Sequence, residues 1–139
     1  MAERGATDVG ELEGLLGGLR SLSGEIVTAA VLSGDGDLVA STLSEGVDRE
    51  RYGAMLAALS GLARRAASEG GEGGFSQARI GAEEGHVLLV GLSQGNTLVA
   101  TTGPEARVGL VLYDMRNARG EIEQVMGSGG ASAGNGGQS

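Results

Sequence analysis

Two groups of short β-forming runs, separated by one long helical stretch, constrain this chain more than any other feature. The first group is Ile26-Val27-Thr28-Ala29-Ala30-Val31-Leu32, the turn Ser33-Gly34-Asp35-Gly36-Asp37, and Leu38-Val39-Ala40-Ser41-Thr42-Leu43. Apolar and β-branched residues bounded by a Gly/Asp cluster read as a hairpin. The second group runs Phe75 to Ala82, His86 to Leu92 and Thr97 to Thr101, joined by Glu83-Glu84-Gly85 and by Ser93-Gln94-Gly95-Asn96. It reads as a three-strand meander. Strands joined by turns this short run antiparallel, because a parallel pair needs a crossover of a dozen or more residues.

Three segments carry helical spacing instead. Val9, Leu12, Leu15, Leu16, Leu19 and Leu22 recur at three and four residues, behind Asp8-x-x-Glu11, which has the form of a capping box. A second helix is expected from a cap at Asp48 to about Ser68, with Tyr52, Met55, Leu56, Leu59, Leu62, Ala63 and Ala66 as its core stripe. The third is expected to start in Thr102-Gly103-Pro104-Glu105, a T-x-x-E box with proline in the first turn. It continues through Val108, Val111, Leu112, Met115, Ile122, Val125 and Met126. The predicted order is α-β-β-α-β-β-β-α, an α/β (α+β) domain with helices packed on a five-stranded antiparallel sheet. Residues 1–7 and the Gly/Ser-rich 127–139 are expected to be flexible, leaving 8–126 as the domain.

Composition narrows the chemistry. There is no cysteine, one histidine (His86), and all ten basic residues are arginine. Disulfides, thiol nucleophiles, multi-histidine metal sites and lysine-dependent phosphate or Schiff-base chemistry are therefore excluded. A net charge of −8 repels phosphate backbones and anionic lipid, which argues against nucleic-acid and membrane-surface binding. No apolar run follows the first residues, and the uncharged stretch from Gly85 to Gly103 is interrupted by a turn; a soluble, cytoplasmic protein without a membrane span is expected.

The motifs that resemble chemical sites have plainer readings. Ser33-Gly34-Asp35-Gly36-Asp37 lacks the closing glutamate of a calcium loop. Gly71-x-Gly73-Gly74 precedes a strand and carries Glu72, unlike a phosphate loop at a helix start. Glu83-Glu84 reads as a solvated turn, and His86 as an exposed or hydrogen-bonded structural residue. No catalytic residue, cofactor or metal site is expected, and the chain reads as a non-enzyme.

One feature rises above this background. Gly53, Ala57 and Gly61 recur every four residues on the second helix, with Ala54, Ala58 and Arg65 alongside. A smooth face distinct from the core stripe permits close approach of another helix, and a helix apolar on two sides meets a second partner.

With these elements in place the chain resembles the Roadblock family, the group of dynein light chains and bacterial GTPase regulators. The hairpin AAVLSGDGDLVAS, the meander HVLLVGLSQGNTLVATTG and the element order carry the resemblance over residues 8 to 126. It implies a profilin- and longin-like fold and a homodimer joined through the second helix and the third strand, with Gly53, Ala54, Ala57, Ala58, Gly61, Phe75, Gln77 and Arg79 at the interface. It also implies binding to a small Ras-like GTPase, for which Arg49, Arg64 and Arg65 are the expected contacts, and modulation of GTP hydrolysis or localisation by positioning rather than by a donated catalytic group. A pure scaffold and a profilin- or PAS-like small-molecule sensor are the alternatives.

Overall fold

The structure, a computed structural model, describes residues 6–43, 49–69 and 77–131, with side chains over 8–43, 49–65 and 77–127. The elements follow the expected order: α1 (Ala6–Ser23), β1 (Ile26–Leu32), β2 (Leu38–Ser41), α2 (Arg49–Glu69), β3 (Gln77–Ala82), β4 (Gly85–Gly91), β5 (Thr97–Thr102) and α3 (Val108–Ala131). A single 3-10 turn, Ser93–Gly95, joins β4 to β5. The five strands form one sheet in the order β2-β1-β5-β4-β3, with every neighbouring pair antiparallel.

The hairpin and the meander are joined where β5 lies against β1, in register from Ile26 opposite Thr102 to Leu32 opposite Thr97. Helix α2 carries the chain from one sheet edge, β2, to the other, β3. Alternation along the strands then assigns side chains to two faces. Ala29, Val31, Leu88, Val90, Leu98 and Ala100 point to one face, where they pack with Leu12, Leu16 and Leu19 of α1 and Val111, Met115 and Ile122 of α3. Ala30, Leu32, Leu89 and Val99 point to the other, where Leu56 of α2 covers them.

Two glycines have conformational work to do. Gly24 has φ +75 and its N–H donates to the Arg20 carbonyl at 3.0 Å, ending α1 in a left-handed residue. Gly85 has φ +154, and a Cβ there would stand 2.0 Å from the Thr102 carbonyl oxygen, so no other residue fits this start of β4.

Several expectations need correction. Helix α1 begins at Ala6, which puts Asp8 inside its first turn rather than at the cap, and Ala6-Thr7 in the helix rather than in a flexible arm. Leu22, which follows the helical spacing of α1, is 72% exposed. Helix α3 runs to Ala131, so residues 127–131, expected in the flexible tail, are helical. Its start is Val108, four residues beyond Pro104. Thr102 is held in β5, opposite both Ile26 and His86, and cannot also serve as a cap. The Arg107 backbone N–H donates instead to Glu25 Oε1 at 2.6 Å, while its Nε donates to Oε2 at 2.9 Å. The backbone hydrogen bond, then that from the guanidine, hold the Glu25 carboxyl below the usual glutamate range. The proposed caps at Asp48 and the glycine loop 70–74 lie outside the described residues.

Candidate interaction surface

Helix α2 packs close to the β1–β2 hairpin, and its small residues make that approach possible. A Cβ at Gly53 would lie 3.2 Å from Leu38 Cβ, and one at Gly36 would lie 3.5 Å from Ala57 Cβ. Tyr52 adds a hydrogen bond between its hydroxyl and Thr28 Oγ1, which also meets Thr101 Oγ1 at 2.7 Å. Gly53, Leu56 and Ser60 are buried along this inward side, with Tyr52 and Leu59 packed against the cluster beneath.

This placement rotates the helix relative to the sequence reading. Gly53 is buried against its own sheet, so it is not available to a second helix, and Ala57 is half-buried beside Gly36. Met55 and Leu62, counted in the core stripe, are 48% and 57% exposed. The outward stripe is Arg51, Ala54, Met55, Ala58, Leu62 and Arg65, all exposed, with Gly61 at its border and nothing within 4 Å of a Cβ added there. Ala54, Ala58 and Gly61 therefore stay on the candidate surface, and Met55 and Leu62 join it. Those two leucine-sized side chains were hidden from sequence reasoning because seven-residue spacing suits either side of a two-sided helix.

The same face of the sheet is also open toward its far edge. Strand β3 pairs only with β4 among the described residues, so its outer edge carries unpaired backbone groups. Ala78 and Ile80 share a sheet face with Val87 and Leu89, the face beneath α2, and Ile80 is 40% exposed. Gln77 and Arg79 point to the opposite face, where the Gln77 side-chain oxygen accepts from Arg116 Nη1 of α3 at 2.6 Å and Arg79 is exposed. Phe75 lies outside the described residues.

The three arginines expected to face a GTPase separate. Arg49 and Arg65 are exposed. Arg64 is half-buried, and its Nη1 donates to the Gly95 carbonyl at 3.1 Å and to Thr97 Oγ1 at 3.3 Å. It ties α2 to the β4–β5 turn, where Gln94 and Gly95 both have positive φ. Arg64 is thus a fold residue rather than a free surface charge.

Among the described residues no group of three or more acidic or histidine side chains converges as a metal site. Ser33-Gly34-Asp35-Gly36-Asp37 is the hairpin turn, closed by Ser33 Oγ accepting from Asp37 N at 3.1 Å. His86 is half-buried, and its Nδ1 has no hydrogen-bond partner among the described residues, so the expectation of a hydrogen-bonded histidine fails at that atom. No described helix is long and apolar enough to cross a membrane.

Comparison with known proteins agrees with this architecture. The family model of the Roadblock/LC7 domain matches residues 13–102. An uncharacterised protein of Methanocaldococcus jannaschii is 32% identical over 125 residues, covering 90% of this chain and 99% of the relative. A Roadblock/LC7 domain from Streptomyces avermitilis is 32% identical, with a TM-score of 0.63 over 81% of this chain and 98% of that one. MglB of Myxococcus xanthus has a TM-score of 0.74 at 15% identity, over 85% of this chain and 96% of its own, a likeness of fold. From residue 13 through the end of β5 the sequence and the folded elements coincide with one domain type, and the chain belongs to the Roadblock/LC7 family.

Proposed function

We propose that two copies of this chain pair through the outward stripe of α2 and the free edge of β3, and that the dimer binds a small Ras-like GTPase and modulates its hydrolysis or its location. The observation that carries the reading is that one face of the sheet bears both the exposed Met55, Ala58 and Leu62 of α2 and, toward the far edge, Ile80 on β3, whose outer side is unpaired among the described residues. Apolar surface and an open strand edge on one side of a sheet are covered together most simply by a second copy across a two-fold axis, which extends both sheets into one. Gln77 and Arg79 then lie along the shared edge, with Phe75 just before it in sequence.

Family membership supports a GTPase partner. Arg49 and Arg65 are exposed toward the two ends of α2, and in this reading they meet it at the rim, where charge governs association rate and salt dependence. The chain contributes positioning and no reacting group. A small-molecule sensor is the weaker reading, because the space between helices and sheet is filled by Leu, Val, Ala, Ile and Met side chains.

The test mixes the protein with each small Ras-like GTPase of its own genome, loaded with GTP or GDP, and measures binding and turnover. Nucleotide-dependent binding with faster hydrolysis is expected. Binding indifferent to the nucleotide reduces the role to a scaffold, and absence of binding rejects both. Replacing Arg49 and Arg65 together by Ala should weaken binding yet preserve the stimulated rate at saturation. Loss of that rate by orders of magnitude would instead identify an inserted arginine, contrary to positioning.

A further inference from the structure

Helix α1 holds four glycines that the fold does not use. A Cβ added at Gly10, Gly14, Gly17 or Gly18 would meet nothing within 4 Å, in contrast to Gly53, which touches Leu38. Each costs the helix about 1 kcal/mol relative to alanine. Gly14 and Gly18, one turn apart, line a groove of about 260 Å³ between α1 and α3. Leu15 and Leu22 add apolar surface on the same wall, Leu22 being 72% exposed. The facing wall on α3 carries Asp114 and Glu121, and among the described residues that line the groove none is basic.

These features define an occupant. A floor without side chains lets a helix backbone come close, and an exposed leucine at the groove's end offers it an apolar anchor. The acidic wall selects for positive charge. A second copy meeting this groove with its own would set acid against acid. The chain's own residues 132–139 have neither a basic side chain nor an apolar one larger than alanine, so they do not fit.

We propose that the α1–α3 groove docks a basic amphipathic helix of a different protein. The helix sets its small and aliphatic residues over Gly14 and Gly18 and its arginines or lysines against Asp114 and Glu121. The groove lies across the sheet from α2, so the site stays open when α2 and β3 are occupied, and the inference is independent of the GTPase reading.

Two fluorescein-labelled synthetic helical peptides test it on the full chain. They share a Leu/Ala face, and one carries arginines and the other glutamates along its flanks. The arginine peptide should bind, with amide shift changes concentrated at Gly14, Gly18 and Leu22. The glutamate peptide, and the variant Asp114→Lys/Glu121→Lys with the arginine peptide, should each bind about tenfold or more weakly. Gly18→Leu should block the floor while keeping or raising Tm, which separates lost docking from lost folding. Equal affinity for both peptides, binding unaffected by Gly18→Leu, shift changes centred on α2, or no binding of the arginine peptide would each overturn the proposal. So would assembly beyond the dimer that Gly18→Leu abolishes, since the occupant would then be a second copy.

Discussion

The two faces of the sheet are covered to very different depths. On one, α1 and α3 lie side by side, and Leu12, Leu16, Leu88, Val90, Leu98, Met115 and Ile122 are all fully buried between them and the strands. On the other, α2 lies alone over the hairpin side, where Leu56 is its one large side chain that is fully buried among those described. Val87 and Ala78 are only partly covered, and Met55, Leu62 and Ile80 face outward. A helix spans only about 10 Å across its side chains, whereas neighbouring strands lie about 4.8 Å apart, so one helix cannot roof five strands. The thickly covered face holds most of the buried core, and the thinly covered one retains exposed apolar surface.

Substitution should show this asymmetry most strongly in the core. Met115→Ala on the α1–α3 side should cost about 2–5 kcal/mol in urea unfolding, through lost burial and the cavity left behind. Leu62→Ala should cost far less in a dilute sample held monomeric. Equal losses would mean that the α2 face is core in its own right.

Next comes the exposed stripe itself. Met55→Glu/Leu62→Glu should weaken self-association by about 2 kcal/mol or more, read as a halved mass in light scattering. The isolated chain should keep its stability to within about 0.5 kcal/mol, since surface changes away from packed features cost little. A double variant that stays dimeric would place the interface elsewhere.

A subtler contrast lies within α2. Gly61→Ala should stabilise the monomer by about 0.5–1 kcal/mol, because helix propensity improves and nothing obstructs the methyl group. Gly53→Ala should gain less or lose, because Leu38 Cβ stands 3.2 Å from the new carbon. Equal gains in thermal unfolding would show that α2 is not pressed against the hairpin.

The smallest effect concerns the end of the thick face. Glu25 is held below the usual glutamate range by its hydrogen bonds to Arg107, so its contribution is present above the ordinary value of 4.5 and is lost as pH falls through the lower, folded-state value. Glu25→Gln should therefore lower stability slightly at neutral pH, and the difference from the parent should shrink below pH 4.5. A difference that persists in acid would mean that shape, not charge, caps α3.

What the sequence determined by itself is the set of elements and their order. Strand β1 is read to the residue, Ile26 to Leu32, because a short, largely β-branched run bounded by Gly24-Glu25 and by a Ser-Gly-Asp turn favours a strand. The antiparallel pairing within the hairpin and within the meander followed from connection length, whereas the joining of β5 to β1 is a long-range pairing that connection length does not give. Tertiary structure decided the rest wherever local signals allowed two answers. Thr102-Gly103-Pro104-Glu105 meets the rules of a helix start, yet strand pairing claims Thr102, and the N–H at the true start is satisfied by Glu25, distant in sequence. Arg64 looks like any surface arginine until the β4–β5 turn brings the Gly95 carbonyl beneath it. Helix α2 is apolar on two sides, so its periodicity cannot say which side turns inward. Backbone approach decides that: Gly53 lies against Leu38 and Ala57 against Gly36, and seating them there turns Met55 and Leu62 toward solvent.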